Sequence, residues 1–523
     1  MSCCDISKSK NTLVEDELVF PFLSFLTHPI VLHIRLLLLH LHLLHHHLQT
    51  HSHISMAKEI TNNENTSTPP PPPWPELLGS KKWQGLLNPL NNSLLNFILH
   101  CGDLTQATYD TFISDDHSPY CGASRYNPSN LLNRVFFPSF SNYTIPSFLY
   151  ATSQISLPSS FLLFSLSRES WSKESNWIGF IAVSSDSYAL STARREIYVA
   201  FRGTIRDLEW LDVVQPFLTS VRPLLSTSAA QDDGDDDPKI MKGWYTIYTS
   251  SDPKSPFSKA SARCQLLSKI KQLVQLYKDE ALSIVCVGHS LGASLAILSA
   301  FDIVENGLSK IENTSENFPV CAVVFGSPQI GNKAFNDRLE KLPMLNVLHV
   351  KNKIDMVPIY PSRVLGYVYS GVELVVDARK SPFLKDSKNP SDWHNLQGIL
   401  HAVAGWNGED GEFEMKVKRS VGLVNKSSEY LKDECLIPGS WWVEKNKGMV
   451  LGEDGEWKVE PLSEDDVPLP PSVDDIDLSF NTPEIESGEI MVAKVMKKKQ
   501  KKNRYGAGLP LCCSFIPCLG SAE

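Results

Sequence analysis

Ser290 lies in Gly288-His289-Ser290-Leu291-Gly292, an arrangement in which small residues let the chain turn sharply from strand to helix and leave the serine standing clear. The chemistry open to it is attack on an acyl carbon. A serine hydroxyl is a poor nucleophile at neutral pH, so it needs a base to take its proton and a third group to orient that base. Negative charge then develops on the acyl oxygen, and the helix N-terminus with the Leu291 N–H is where such charge is stabilised. Five residues are a short motif, and the flanks give it weight. The apolar run LSIVCV precedes it, and LGASLAILSAFDIVEN follows with Ala293 and Ala296 small enough for close packing.

A nucleophile on such a turn is followed in the chain by an acid and then a histidine. Six histidines lie in the central part of the chain: His100, His117, His289, His349, His394 and His401. His100 and His117 come too early, and His289 adjoins the serine and points away from it. Asp355 in HVKNKIDMVP follows an apolar run, so it should emerge at the same sheet edge as Ser290. Asp377, after GVELVVD, is the reserve acid. His394 and His401 share the segment SDWHNLQGILHAVAGW, seven positions apart and nearly on one helical face, so spacing leaves both as candidate bases.

These residues need a scaffold that brings several strand ends to one edge. Four short, nearly continuous apolar runs read as buried parallel strands: 196–202 (EIYVAFR), 282–287 (LSIVCV), 320–325 (VCAVVF) and 345–351 (LNVLHVK). Between the first two, Leu266, Leu267, Ile270, Leu273, Val274 and Tyr277 recur at the 3.6-residue period of a helix packed on a sheet. The alternation of helix and strand implies an α/β protein with a mostly parallel central sheet covered by helices, the α/β-hydrolase arrangement.

The 523 residues are 42% hydrophobic and 21% charged, enough for one large core with appendages, and the net charge of −10 offers no basic footprint for nucleic acid. The cysteines form no CxxC pair with zinc or redox spacing, so free thiols are expected. Residues 1–55 form an atypical leader whose Leu- and His-rich tract is interrupted by Pro29 and Arg35; it reads as dispensable, with a membrane anchor and a chloroplast transit peptide as alternatives. Its HLHLLHHH run reads as composition rather than a metal site. Residues 56–82 are polar and Pro-rich and read as flexible, 83–450 as the globular domain, and 451–523 as a disordered tail, first acidic, then basic. The acidic stretch 229–238 reads as a solvated loop, lacking the ligand pattern of a calcium site. The segment 210–218 (WLDVVQPFL) reads as an amphipathic core helix, with a lid or interface contact as the alternative. Lys497–Arg504 with Cys512, Cys513 and Cys518 is a candidate peripheral membrane contact, and unmodified cysteines beside a solvated charge run are the default.

Six segments in order make a resemblance specific: IYVAFRGT (197–204), VGHSLGASLA (287–296), FGSPQIGN (325–332), NKIDMVP (352–358), WHNLQGILHAVAGW (393–406) and LVNKSSEYLKDECLIPGSWW (423–442). From about Trp83 to Glu460 the chain resembles the plant class 3 lipases of the phospholipase A1-II type. The resemblance implies Ser290 as nucleophile, Asp355 as orienting acid, and His394 rather than His401 as base. It implies that the Thr204 N–H joins Leu291 in the oxyanion hole. It further implies hydrolysis of the sn-1 acyl ester of glycerophospholipids such as phosphatidylcholine, no metal or other cofactor, and a cytoplasmic enzyme, to which the C-terminal basic run and cysteines add the candidate peripheral membrane contact. A neutral-lipid or galactolipid lipase and a non-catalytic lipid-binding protein on the same fold are the alternatives.

Overall fold

Apolar runs flanked by turn residues become one seven-stranded sheet in the computed structural model. The structure describes residues 70–480 except 116, 153–175, 205–215, 227–236, 312–316, 443–448, 452, 454–456 and 460–462. The chain divides into Met1–Pro70 and Pro71–Glu523, and the second unit carries everything that follows. The sheet strands are β1 (Tyr143–Ala151), β2 (Asn176–Ser184), β3 (Arg195–Phe201), β4 (Leu282–His289), β5 (Val320–Phe325), β6 (Leu345–Asn352) and β7 (Val372–Val376). They lie side by side in chain order; β1, β2 and β3 pair antiparallel, and β3 through β7 pair parallel.

Strands β3 to β6 match the four expected runs to within two residues at each end. The edge strand β1 carries Pro146, which has no N–H for a ladder, and its register to β2 shifts between Thr144 and Ser147. An outer strand with an irregular register is where a sheet tolerates proline, and that proline hides the strand from pattern reading.

Continuous apolar runs follow from burial of both faces. Along β4, Leu282, Ile284 and Cys286 enter one core and Val285 and Val287 the other. The first core is closed by α2 (Lys242–Thr249), α3 (Ala262–Leu276), α4 (Leu291–Glu305) and α5 (Lys333–Lys341), the second by α1 (Asn92–Thr111) and α6 (Leu396–Ala404). The Leu266, Leu267, Ile270, Leu273 and Val274 face of α3 is buried as its period requires. Four of these helices start at a side chain that accepts from their first-turn N–H groups, namely Asn91, Ser261, Asn332 and Asn395.

Both expected domain boundaries move outward. Within the stretch expected to be flexible, Trp74–Leu77 is a short helix, Leu78 is buried, Lys82 donates to the Asn346 side chain at 2.7 Å and the Arg194 guanidinium covers the Trp74 ring. Within the acidic tail, residues 463–480 lie against the domain. Asp466 accepts from the Asn127 N–H, Asp477 pairs with Lys271 at 3.0 Å, and Arg263 donates to the Phe480 carbonyl. Composition missed both because a few anchors, Trp74, Leu78, Asp466 and Phe480, offset the ordering entropy of an otherwise polar stretch.

The six cysteines among the described residues are free thiols. Among those residues no helix is long and apolar enough to cross a membrane. The leader, the HLHLLHHH run, the 229–236 part of the acidic loop, and Lys497–Arg504 with Cys512, Cys513 and Cys518 lie outside the described residues.

Candidate active site

Strand β4 ends at His289 and α4 begins at Leu291, so Ser290 alone makes the turn, with φ 57° and ψ −127°. That backbone region costs a non-glycine residue on the order of 1–3 kcal/mol and persists only where its surroundings enforce it. Enforcement comes from the Ser290 N–H, which donates to the Phe325 carbonyl at the end of β5 at 2.9 Å. A close approach helps as well, since a Cβ on Gly288 would lie 2.3 Å from the Gly292 carbonyl oxygen. Although Ser290 occupies the cap position of α4, its hydroxyl caps nothing, which leaves Oγ for other chemistry.

Asp355 leaves the β6 edge in a tight turn, its N–H donating to the Asn352 carbonyl at 3.0 Å and its Oδ1 accepting from the Val357 N–H at 2.9 Å. The other carboxylate oxygen, Oδ2, accepts from His394 Nδ1 at 2.7 Å. With Nδ1 bearing the proton, His394 Nε2 is the basic nitrogen. Asp355, His394 and Ser290 are all buried, and neither Ser290 Oγ nor His394 Nε2 has a hydrogen-bond partner among the described residues. Gly326, at φ 53°, makes room for this pair: a Cβ there would lie 2.8 Å from His394 Cε1 and 3.0 Å from Asp355 Oδ2.

Two further histidines brace the site. His289 Nε2 donates to the His394 carbonyl at 2.8 Å, and its Nδ1 accepts from the Tyr109 hydroxyl of α1 at 2.8 Å. Burial first, and the neighbouring His394 second, hold His289 well below the usual histidine range, so it stays neutral and keeps these two roles. The rings of His289 and His394 lie 4.5 Å apart between centroids. His349 on β6 accepts from the Ser327 N–H at 2.9 Å, fixing the turn that contains Gly326; burial, then Lys351 and His394, push it down to about 3. Sequence reading assigned neither histidine a task and passed over Tyr109, whose partner lies 180 positions away.

On the other side of the serine, Arg202 and Gly203 follow the end of β3. A Cβ on Gly203 would lie 3.1 Å from Ser290 Cβ and 2.2 Å from the Tyr109 hydroxyl, so the 203–204 backbone runs beside the nucleophile. Arg202 is fully buried; it donates to the Trp177 carbonyl at 2.8 Å and the Gly203 carbonyl at 3.0 Å, its guanidinium lies 3.9 Å from the Phe112 ring centroid, and burial pushes it down to about 9. Thr204 follows directly, and Leu291 opens α4. Of the segment considered as a core helix or lid, residues 210–215 lie outside the described residues.

The remaining candidates sit elsewhere. His401 does not share a helix with His394, because Pro390–Trp393 ends there and α6 begins after Asn395. Its Nε2 meets Ser381 Oγ at 2.7 Å and its ring stacks on Phe413. Asp377 binds Arg379 with both oxygens. His100 is packed among Phe137, Tyr143 and Tyr198, and His117 is exposed beside Asp115.

With this geometry in view, comparison with known proteins gives three findings. Residues 198–365 match the family model of class 3 lipases. The chain is 52% identical over 443 residues to phospholipase A1-II 5 of Oryza sativa subsp. japonica, covering 85% of this chain and 93% of that one. It is 53% identical over 409 residues to phospholipase A1-IIdelta of Arabidopsis thaliana, covering 76% and 98% respectively.

Proposed function

This chain belongs to the class 3 lipases, in the phospholipase A1-II group of ester hydrolases, and from that premise we propose that it releases the sn-1 acyl chain of glycerophospholipids through Ser290, His394 and Asp355. The supporting observation is the Asp355–His394 bond at 2.7 Å beside a strained serine, with neither Ser290 Oγ nor His394 Nε2 bonded to any of the described residues. In this reading Ser290 Oγ attacks the ester carbonyl carbon as its proton passes to His394 Nε2. Asp355 stabilises the imidazolium and keeps Nδ1 protonated. The oxyanion accepts from the Leu291 and Thr204 N–H groups. Collapse breaks the carbon–oxygen bond to the glycerol, and His394 returns its proton to the departing lysophospholipid. Water, deprotonated by the same nitrogen, then attacks the acyl-serine, and the fatty acid leaves as Oγ takes the proton back.

The deciding measurement uses phosphatidylcholine carrying different labels at sn-1 and sn-2. Wild type should release the sn-1 chain, and Ser290→Ala should lose at least about 10³-fold of that rate. Equal release from both positions, or release surviving in Ser290→Ala, would falsify the proposal.

A further inference from the structure

The turn that presents Asp355 continues into a segment with several exposed apolar side chains. Directly after the carboxylate, Met356, Ile359, Val364 and Leu365 are all exposed, Val364 at 93%. From Met356 to Tyr369 there is no carboxylate, and the single cation, Arg363, is exposed with its guanidinium 5.3 Å from the Tyr369 ring centroid. A second segment joins this one. The Tyr367 hydroxyl donates to the Pro216 carbonyl at 3.1 Å, and a Cβ on Gly366 would lie 3.8 Å from Leu218 Cδ1, which brings Phe217, exposed at 61%, to the same tip. Both segments lead back to the site: 356–369 starts at Asp355, and 216–218 follows the stretch that leaves Thr204.

Resting on the proposed function, we propose that Phe217, Met356, Ile359, Val364 and Leu365 form the face that seats this enzyme on a phospholipid surface, with Arg363 meeting headgroup phosphate. Scattered exposed apolar side chains need no explanation, but an apolar tip beside a catalytic pair does. A substrate whose acyl chains lie below a headgroup layer must reach Ser290 without crossing water. Apolar side chains inserted at the acyl boundary make that passage continuous. Charge complementarity selects the occupant. In a chain of net charge −10, a segment 356–369 whose one charged side chain is Arg363 fits a phosphate-bearing surface. Tyr369, half-buried beside Arg363, supplies a ring of the kind enriched at the headgroup level.

The test uses the full chain with vesicles of phosphatidylcholine, alone and with added phosphatidylglycerol, and a monomeric short-chain ester in parallel. In the Ser290→Ala background, so that vesicles stay intact, Val364→Glu with Leu365→Glu should weaken vesicle partition by about tenfold or more. Arg363→Glu should weaken it chiefly where phosphatidylglycerol is present. With Ser290 retained, the same rim variants should hydrolyse the monomeric ester at the wild-type rate, because Arg363, Val364 and Leu365 are exposed and lie at least eight residues beyond Asp355 in the chain. Should the double variant lose the soluble-ester rate as well, the milder Val364→Ser decides. Partition unchanged by every rim variant overturns the proposal. So does a wild-type dimer that Val364→Glu splits, since the face would then meet a second copy. If vesicles bind wild type but not the rim variants and no ester is cleaved, the surface stands and the enzymatic reading falls.

Discussion

At the residue scale the site is a serine whose hydroxyl is kept from capping its own helix, a histidine whose tautomer is set by Asp355, and a second histidine that holds the first by its main chain. In the sequence, motifs mark Ser290 through its small-residue turn and Asp355 through the apolar run before it, whereas spacing leaves His394 and His401 both open and only the resemblance prefers His394. The roles of His289 and Tyr109 were not legible, since nothing local marks a tyrosine on α1 as the partner of a residue 180 positions later. Their arrangement has a consequence for catalysis. Removing the Tyr109 hydroxyl leaves His289 Nδ1 buried without its donor, and the loosened ring no longer fixes the His394 carbonyl. Tyr109→Phe should therefore lower kcat roughly tenfold with KM little changed, the size expected for losing one buried hydrogen bond that acts through position. Fluorophosphonate labelling of Ser290 should slow in parallel. If Tyr109 were only a packing residue, the variant would melt earlier while its folded fraction kept full kcat.

At the element scale, strands β3 to β6 were readable because burial on both faces forces continuous apolar runs, whereas β1 was obscured by the proline that its edge position tolerates. The segment 391–406 shows where periodicity misleads. Its apolar spacing suits one helix carrying His394 and His401 on a shared face, yet the Asn395 side chain accepts from the Gly398 N–H at 2.8 Å and starts α6 afresh. That cap leaves His394 in the joint between two helices, facing Asp355, while His401 goes into the core against Phe413. Asn395→Ala should cost about 1 kcal/mol, the usual loss for an N-cap, seen as a lower urea midpoint with an unchanged slope. Its activity should fall by more than the unfolded fraction explains, because the joint also aims His394. Asn395→Asp, which caps equally well, should restore both readouts, and an alanine variant with undiminished specific activity would show that the joint is held by packing alone.

At the scale of the whole molecule, residues 74–82 and 463–480, beyond the margins that composition suggests, are tied down by a few specific contacts inside otherwise polar stretches. The buried titratable groups make a statement of the same scope about pH. Burial lowers His100, His289, His349 and His401, with His349 brought to about 3 and His401 to about 4. An unfolded chain protonates the same side chains near about 6.5. A histidine with a depressed folded pKa contributes stability that is fully present above the unfolded value and is lost as pH falls below it. His349 and His401 each remove up to about 1.4 kcal/mol per pH unit in that window, and His100 and His289 act in the same direction. Asp110 acts in the opposite direction, because burial raises it to about 6 even though Lys426 beside it favours the charged form. Its contribution is fully present below the unfolded value and is lost as pH rises through about 6, so on acidification this one group gains stability while the four histidines lose it. The urea midpoint should therefore fall steadily from pH 7 to pH 5, with net proton uptake on unfolding. His349→Asn should flatten that slope by about one proton. A midpoint constant from pH 7 to pH 5 would mean that these histidines protonate in the folded state, and that His289 cannot remain the neutral donor and acceptor linking Tyr109 to His394.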